Sequence, residues 1–184
     1  MANGMRGIAL TDHGNMFGIK ELTDYVNKKN KDVDGEIKNL KKTIEELKSA
    51  DAVDQEALSK AETALKEAES KIFTPIIGCE MYVADNDMTD RSNKKDIGRH
   101  LIVLAKNQHG YHNLIKLVSN AWTDGYYYHP RTDKKQLEKY HEDLIVCSAC
   151  LGGEVPKLIT AGHIEEAEKS ILWFKKVFGE DYYL

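Results

Sequence analysis

The stretch Gly7-Ile8-Ala9-Leu10-Thr11 runs without a break into Asp12-His13-Gly14-Asn15. A short apolar run that ends on turn residues reads as a buried strand, and polar groups at the end of such a strand stand where α/β folds place their chemistry. Working outward, Ile19, Leu22 and Val26 recur at helical spacing and predict a helix over about 17–29. The alternation then returns. A strand is expected at 75–83 with Glu80 among apolar neighbours, a polar loop at 85–98, and a strand at 100–105 that opens on His100. A helix at 110–122 places Leu114, Leu117, Val118 and Ala121 on one face. An aromatic loop at 125–131, a short helix at 134–140, a strand at 144–148 and a turn at 150–154 follow. The last helix, 164–178, buries Ala167, Ile171, Phe174 and Val177 before Asp181-Tyr182-Tyr183-Leu184 starts another strand. Strand, polar turn and helix in repetition predict an α/β fold with largely parallel strands. Six residues precede the first strand and the last is cut short, so both ends are expected to be edges of a piece of a longer protein.

Residues 34–72 differ in kind. They are rich in Lys, Glu, Ala and Leu and contain no proline. Ile37, Leu40, Ile44 and Leu47 form an apolar stripe, and after Ser49-Ala50-Asp51-Ala52 it restarts at Leu58, Ala61, Leu65, Ala68 and Ile72. That heptad-like spacing on two helices with a short link predicts an antiparallel helical hairpin. It reads as a solvent-exposed insertion, with a partner-binding coiled coil as the alternative.

The 184 residues carry a formal net charge of −4, whereas a free-standing nucleic-acid clamp of this size is usually basic. No apolar run approaches membrane-spanning length, and Met1-Ala2-Asn3-Gly4-Met5-Arg6 lacks a leader's apolar core, so a cytoplasmic location is expected. Three cysteines, Cys79, Cys147 and Cys150, do not make a disulfide framework.

Metal-capable groups stand at four strand ends: Asp12-His13, Glu80, His100, and Cys147 or Cys150. Imidazole, carboxylate and thiolate are the usual ligands of zinc and related ions, and strand ends of a parallel sheet converge on one rim. Each group has a plainer reading. Asp12 bonds turn backbone with His13 incidental, Glu80 forms a structural ion pair, and His100 caps a strand. The Cys147/Cys150 pair is a lone C-x-x-C, in which Cys147 reads as a packed small hydrophobe and Cys150 as the better ligand. His109 and His112, at i and i+3, read as helix-start surface residues. Tyr126-Tyr127-Tyr128 beside Arg131 reads as a loop anchor, with base stacking as the alternative. Gly152-Gly153 lacks the rest of a phosphate-loop pattern.

These residues resemble a known family. Gly4 to Gly18 resembles the second motif of the PHP (polymerase and histidinol phosphatase) domain found in bacterial DNA polymerase III alpha subunits. Pro75-Ile76-Ile77-Gly78-Cys79-Glu80-Met81-Tyr82-Val83 resembles its next motif. His100-Leu101-Ile102-Val103-Leu104-Ala105 with Asn107, Gly110-Tyr111 and Asn113-Leu114 resembles the strand and helix after it. Cys150-Leu151-Gly152-Gly153-Glu154-Val155-Pro156 resembles the cysteine-bearing turn.

The resemblance implies a partial PHP-type distorted (β/α)7 barrel, residues 1–184, truncated, with the hairpin of 34–72 inserted. It implies a divalent metal cluster, zinc or manganese, with His13, Glu80, His100 and Cys150 at ligand positions and Asp12 as a ligand or a neighbour of one. The family's opening His-x-His and closing Asp-x-His are not matched here, so a full cluster belongs to the intact domain. The implied role lies in DNA replication, through a parent DNA-directed DNA polymerase that meets DNA and other replisome subunits. The intact domain would hydrolyse phosphoesters as a 3′–5′ exonuclease or a pyrophosphatase-like enzyme, while this piece alone is expected to be inactive and, with unpaired sheet edges, to self-associate. The rivals are a scaffold that stabilises the polymerase or docks a proofreading subunit, and a stand-alone PHP phosphatase.

Overall fold

A computed structural model describes residues 4–50, 52 and 54–184. Met1-Ala2-Asn3 of the expected leaderless start and Asp51 of the expected link lie outside the described residues. The chain divides into two compact units.

The first unit is built on Lys20–Pro75. It holds α1 (Ile19–Ser49) and α2 (Gln55–Lys71). The helix expected at 17–29 and the first hairpin arm are one continuous helix. Gly35 lies within it, and a single helical glycine costs only about 1 kcal/mol. The stripe read from the sequence is the less exposed side of both helices, with Ile44 and Ala68 buried. Cross-helix pairs Lys48–Glu62 near the link (2.9 Å) and Glu36–Lys71 far from it (3.9 Å) set an antiparallel sense. Asp54 caps α2 by accepting the N–H groups of Glu56 and Ala57. Asn30, 7% exposed, locks the exit of α2 to α1: its amide donates to the Phe73 carbonyl (2.8 Å) and accepts the Phe73 N–H (3.1 Å).

The second unit, Ala9–Ile19 with Ile76–Leu184, carries most of a mixed sheet. Its strands are β1 (Gly7–Leu10), β2 (Thr74–Val83), β3 (Arg99–Ala105), β4 (Tyr126–Tyr127), β5 (His129–Thr132), β6 (Leu144–Cys147) and β7 (Tyr182–Tyr183). The order is β4-β5-β2-β3-β6-β7, with β1 also paired to β2. β2 runs parallel to β5, and β6 to β7, as expected. The expectation of a largely parallel sheet fails at its centre, where β3 is antiparallel to both β2 and β6. Apolar patterning marks a strand but not its direction, because both senses bury the same alternate residues.

The period of two divides the sheet. Cys79, Met81, Val83, Leu101, Val103, Leu144 and Val146 share one face. They pack on Leu114, Leu117 and Val118 of α3 (Gln108–Thr123), Leu137 of α4 (Lys134–Lys139), and Phe174 and Phe178 of α6 (Ile164–Phe178). The register pairs Glu80 with Ile102 and Tyr82 with His100, so these four share the opposite face.

The β4–β5 hairpin, whose apex Tyr128 has φ +57, escaped the sequence reading, and α5 (Glu154–Thr160) follows the Gly152-Gly153 turn. Arg131, in the second strand of this hairpin, is fully buried. Its guanidinium donates to the carbonyls of Met88, Asp90 and Asp96 and pairs with the Asp96 carboxylate at 3.2 Å, under the Tyr127 ring. Arg131 therefore pins the polar 85–98 loop and does not face solvent. No helix of the described residues is long and apolar enough to cross a membrane.

Candidate metal centre

Glu80 sits in β2 between two core-facing neighbours, Cys79 and Met81, so strand alternation turns its carboxylate to the opposite face. The reversal of β3 brings its start beside the later half of β2, and His100 becomes the diagonal neighbour of Glu80. Nδ1 of His100 lies 2.6 Å from Oε1 of Glu80.

His13 approaches from the other side. The loop after β1 continues alongside β2 as a parallel bridge at His13 and Glu80, with Glu80 N–H donating to the Asp12 carbonyl (3.0 Å) and Gly14 N–H to the Glu80 carbonyl (2.8 Å). Nδ1 of His13 then lies 3.1 Å from Oε2 of Glu80, with the imidazole 70% exposed. Gly14 adopts φ +67, and a Cβ there would sit 2.8 Å from Cγ of Pro130, so the turn requires glycine. The Trp122 indole N–H donates to the Gly14 carbonyl at 2.8 Å and ties the loop to the end of α3.

Cys150 arrives on the turn after β6. That turn docks on the start of β3 through the His100 N–H, which donates to the Gly152 carbonyl at 3.1 Å. Sγ of Cys150 lies 3.3 Å from Nδ1 of His100 and accepts the Gly152 N–H at 3.3 Å. A Cβ on Gly152 would stand 2.9 Å from Nδ1 of His100, so the glycine clears the imidazole. Ligand atoms of Glu80, His100 and Cys150 all lie within 4.8 Å of one another. A carboxylate, an imidazole and a thiol at that spacing fit a divalent transition ion.

The other sequence candidates are placed elsewhere. The Asp12 carboxylate accepts the Gly18 N–H at 2.8 Å and so closes the loop rather than joining the three-residue cluster. Cys79 is buried, and burial pushes its thiol up to about 12. Cys147 ends β6 outside the cluster, its thiol also raised by burial. His109 pairs with Asp143 at 2.9 Å, and His112 lies 3.3 Å from the Gln108 amide. Sequence reasoning missed Tyr82, whose ring stands edge-on to His100 with centroids 5.3 Å apart. Its signal was present: Tyr82 is two residues beyond Glu80 on a strand and must share its face.

The PHP domain family model matches residues 1–184. The chain is 42% identical over 185 residues to the DNA polymerase III subunit alpha of Borreliella burgdorferi, covering 98% of this chain and 12% of that protein. It is 37% identical to the subunit of the same name from Treponema pallidum (98% and 12%) and 33% identical to that of Chlamydia trachomatis (96% and 11%). The chain thus spans about an eighth or less of the length of these relatives. The site geometry and the match over the whole length agree, and the chain belongs to the PHP domain family.

Proposed function

We propose that this chain is part of the PHP domain of a replicative DNA polymerase III alpha subunit, and that it contributes a half-built divalent metal centre, for zinc or manganese, that hydrolyses phosphoesters. The observation that carries the proposal is the Glu80 carboxylate, its side chain only 14% exposed, with His13 on one oxygen, His100 on the other and Cys150 close by. The reading extends to closure of the sheet into a distorted barrel by further strands, to the two-helix hairpin as an insertion in the family pattern, and to a cytoplasmic role with DNA and replisome subunits as partners.

When bound, divalent ions would supply positive charge against the charge that develops on a phosphoester, and would acidify an attacking water. Glu80 offers both oxygens, one toward each imidazole. The Gly152 N–H donates to Sγ of Cys150 and helps hold it beside His100. The Tyr82 ring walls one side of His100.

A second reading, a non-catalytic scaffold, is favoured by one observation: two imidazoles already satisfy the Glu80 carboxylate. Elemental mass spectrometry separates the two. The proposal expects bound zinc or manganese in the chain extended at both ends, and loss of metal and of phosphodiester cleavage by more than about 100-fold in the extended Glu80→Ala variant, beyond what an outer partner of a ligand contributes. Absence of metal after reconstitution, or unchanged cleavage in the variant, overturns it in favour of the scaffold.

A further inference from the structure

We propose that His129 is a substrate-binding residue of this centre, donating a hydrogen bond to a non-bridging oxygen of the phosphate group. The inference rests on the metal-centre reading and goes beyond it in naming a phosphate-contacting side chain that no ligand position includes.

Three observations place His129 there. First, its ring stacks on Tyr82, with centroids 4.5 Å apart at 21°, and the edge of the same Tyr82 ring meets His100. His129 therefore stands on the face that carries Glu80 and His100, one ring removed from them. The Tyr82 ring stands between it and His100, so it is placed for a substrate rather than for the ion. Second, the hairpin that carries it is packed on the site loop: Gly14, next to His13, is held so close to Pro130 that a Cβ would sit 2.8 Å from Cγ. The apex Tyr128 keeps φ +57, an unfavourable conformation for a tyrosine, which forces the chain to reverse directly before His129.

Third, among the described residues His129 is the one histidine whose ring nitrogens have no polar partner. His13 and His100 face Glu80, His109 faces Asp143, His112 faces Gln108, His141 faces the Glu138 carbonyl and His163 faces Glu166. A neutral imidazole carries one N–H donor and one acceptor whatever its tautomer. Half-buried on an aromatic ring at the rim of a centre built for phosphoesters, that free donor matches an anionic oxygen. Tyr82 holds the ring in place at little entropic cost, since stacking fixes its plane.

The test uses the extended protein with zinc or manganese loaded, and two variants. His129→Phe keeps an aromatic ring for stacking on Tyr82 and removes the donor, whereas His129→Gln keeps an N–H donor. Inorganic phosphate binding is measured by calorimetry, metal content by elemental mass spectrometry, and hydrolysis of bis(p-nitrophenyl) phosphate gives kcat and KM. The expected result for His129→Phe is unchanged metal content, phosphate affinity weakened about tenfold, the scale of one hydrogen bond to a charged group, and a KM raised by about the same factor with kcat little altered. His129→Gln should recover much of the loss. Equal phosphate affinity in wild type and His129→Phe overturns the inference, as does loss of metal in that variant, which would make His129 a ligand or a packing residue. A wild type that holds metal but binds no phosphate also overturns it while metal binding stands. A wild type that holds no metal sinks the metal-centre reading instead. The inference is then decided on the metal-free protein, by whether inorganic phosphate moves the His129 ring ¹⁵N resonance.

Discussion

Single residues at this centre are governed by what surrounds them more than by their own chemistry. Glu80 was legible as an anomaly, a carboxylate in an apolar run, because a buried unpaired charge is costly. Its partners were not legible, since they lie on other strands. Gly152 and Gly153 read at best as a weak phosphate motif. They are explained by clearance: a Cβ on the first would press on the His100 ring, and one on the second would sit 2.2 Å from the Ser148 carbonyl. Tyr182 supplies a prediction at this scale. Its hydroxyl is buried without a partner, and burial, reinforced by the Glu154 charge, pushes the phenol up to about 12. The folded state thus favours the neutral phenol. The associated stability is present in full below the phenol's ordinary value of about 10 and is lost as pH rises from there through about 12. Tyr182→Phe removes an unsatisfied hydroxyl and is expected to raise stability at neutral pH by about 1 kcal/mol. It should also flatten the decline of the urea midpoint between about pH 10 and 12. A variant that is less stable at neutral pH, or that declines as steeply in alkali, would show that the hydroxyl is not a burden.

Elements were legible where periodicity is long. The last helix matches its expected bounds, 164–178, because its apolar face repeats over four turns. The β4–β5 hairpin stands where the sequence predicts a loop, because strands of two and four residues carry too few alternations to register. The helices of the first unit show the opposite error, a break expected where the helix continues. Gly35 lies within α1, and a Cβ there would meet nothing within 4 Å. Gly35→Ala is therefore expected to stabilise by about 0.5–1 kcal/mol, from helix propensity alone. Chemical denaturation followed by far-ultraviolet circular dichroism measures this, and a destabilised variant would mean that the glycine relieves a bend or contact in α1. The cross-helix ion pairs are half-exposed and contribute little by comparison.

At the scale of the whole molecule, His13, Glu80, His100 and Cys150 come from four separate segments, so an ion held there binds the folded chain and not the unfolded one. Zinc or manganese added to the extended protein at about 100 times its Kd should stabilise it by about 2.7 kcal/mol and raise Tm. A chelator should reverse the gain, and Glu80→Gln should abolish it. A Tm that ignores the metal, or a shift that survives in Glu80→Gln, would place binding elsewhere. By itself the sequence determined most of the longer strands and helices, most of the residues that face the core and which side chains are able to ligate a metal. These follow from local periodicity and residue chemistry, which each segment carries within itself. Only the tertiary structure decided strand direction and the meeting of side chains. His100 opens its strand and in a parallel sheet would lie at the end away from the site; the antiparallel turn of β3 returns it to Glu80. That outcome depends on pairings between distant segments, for which alternate burial is the same in either direction.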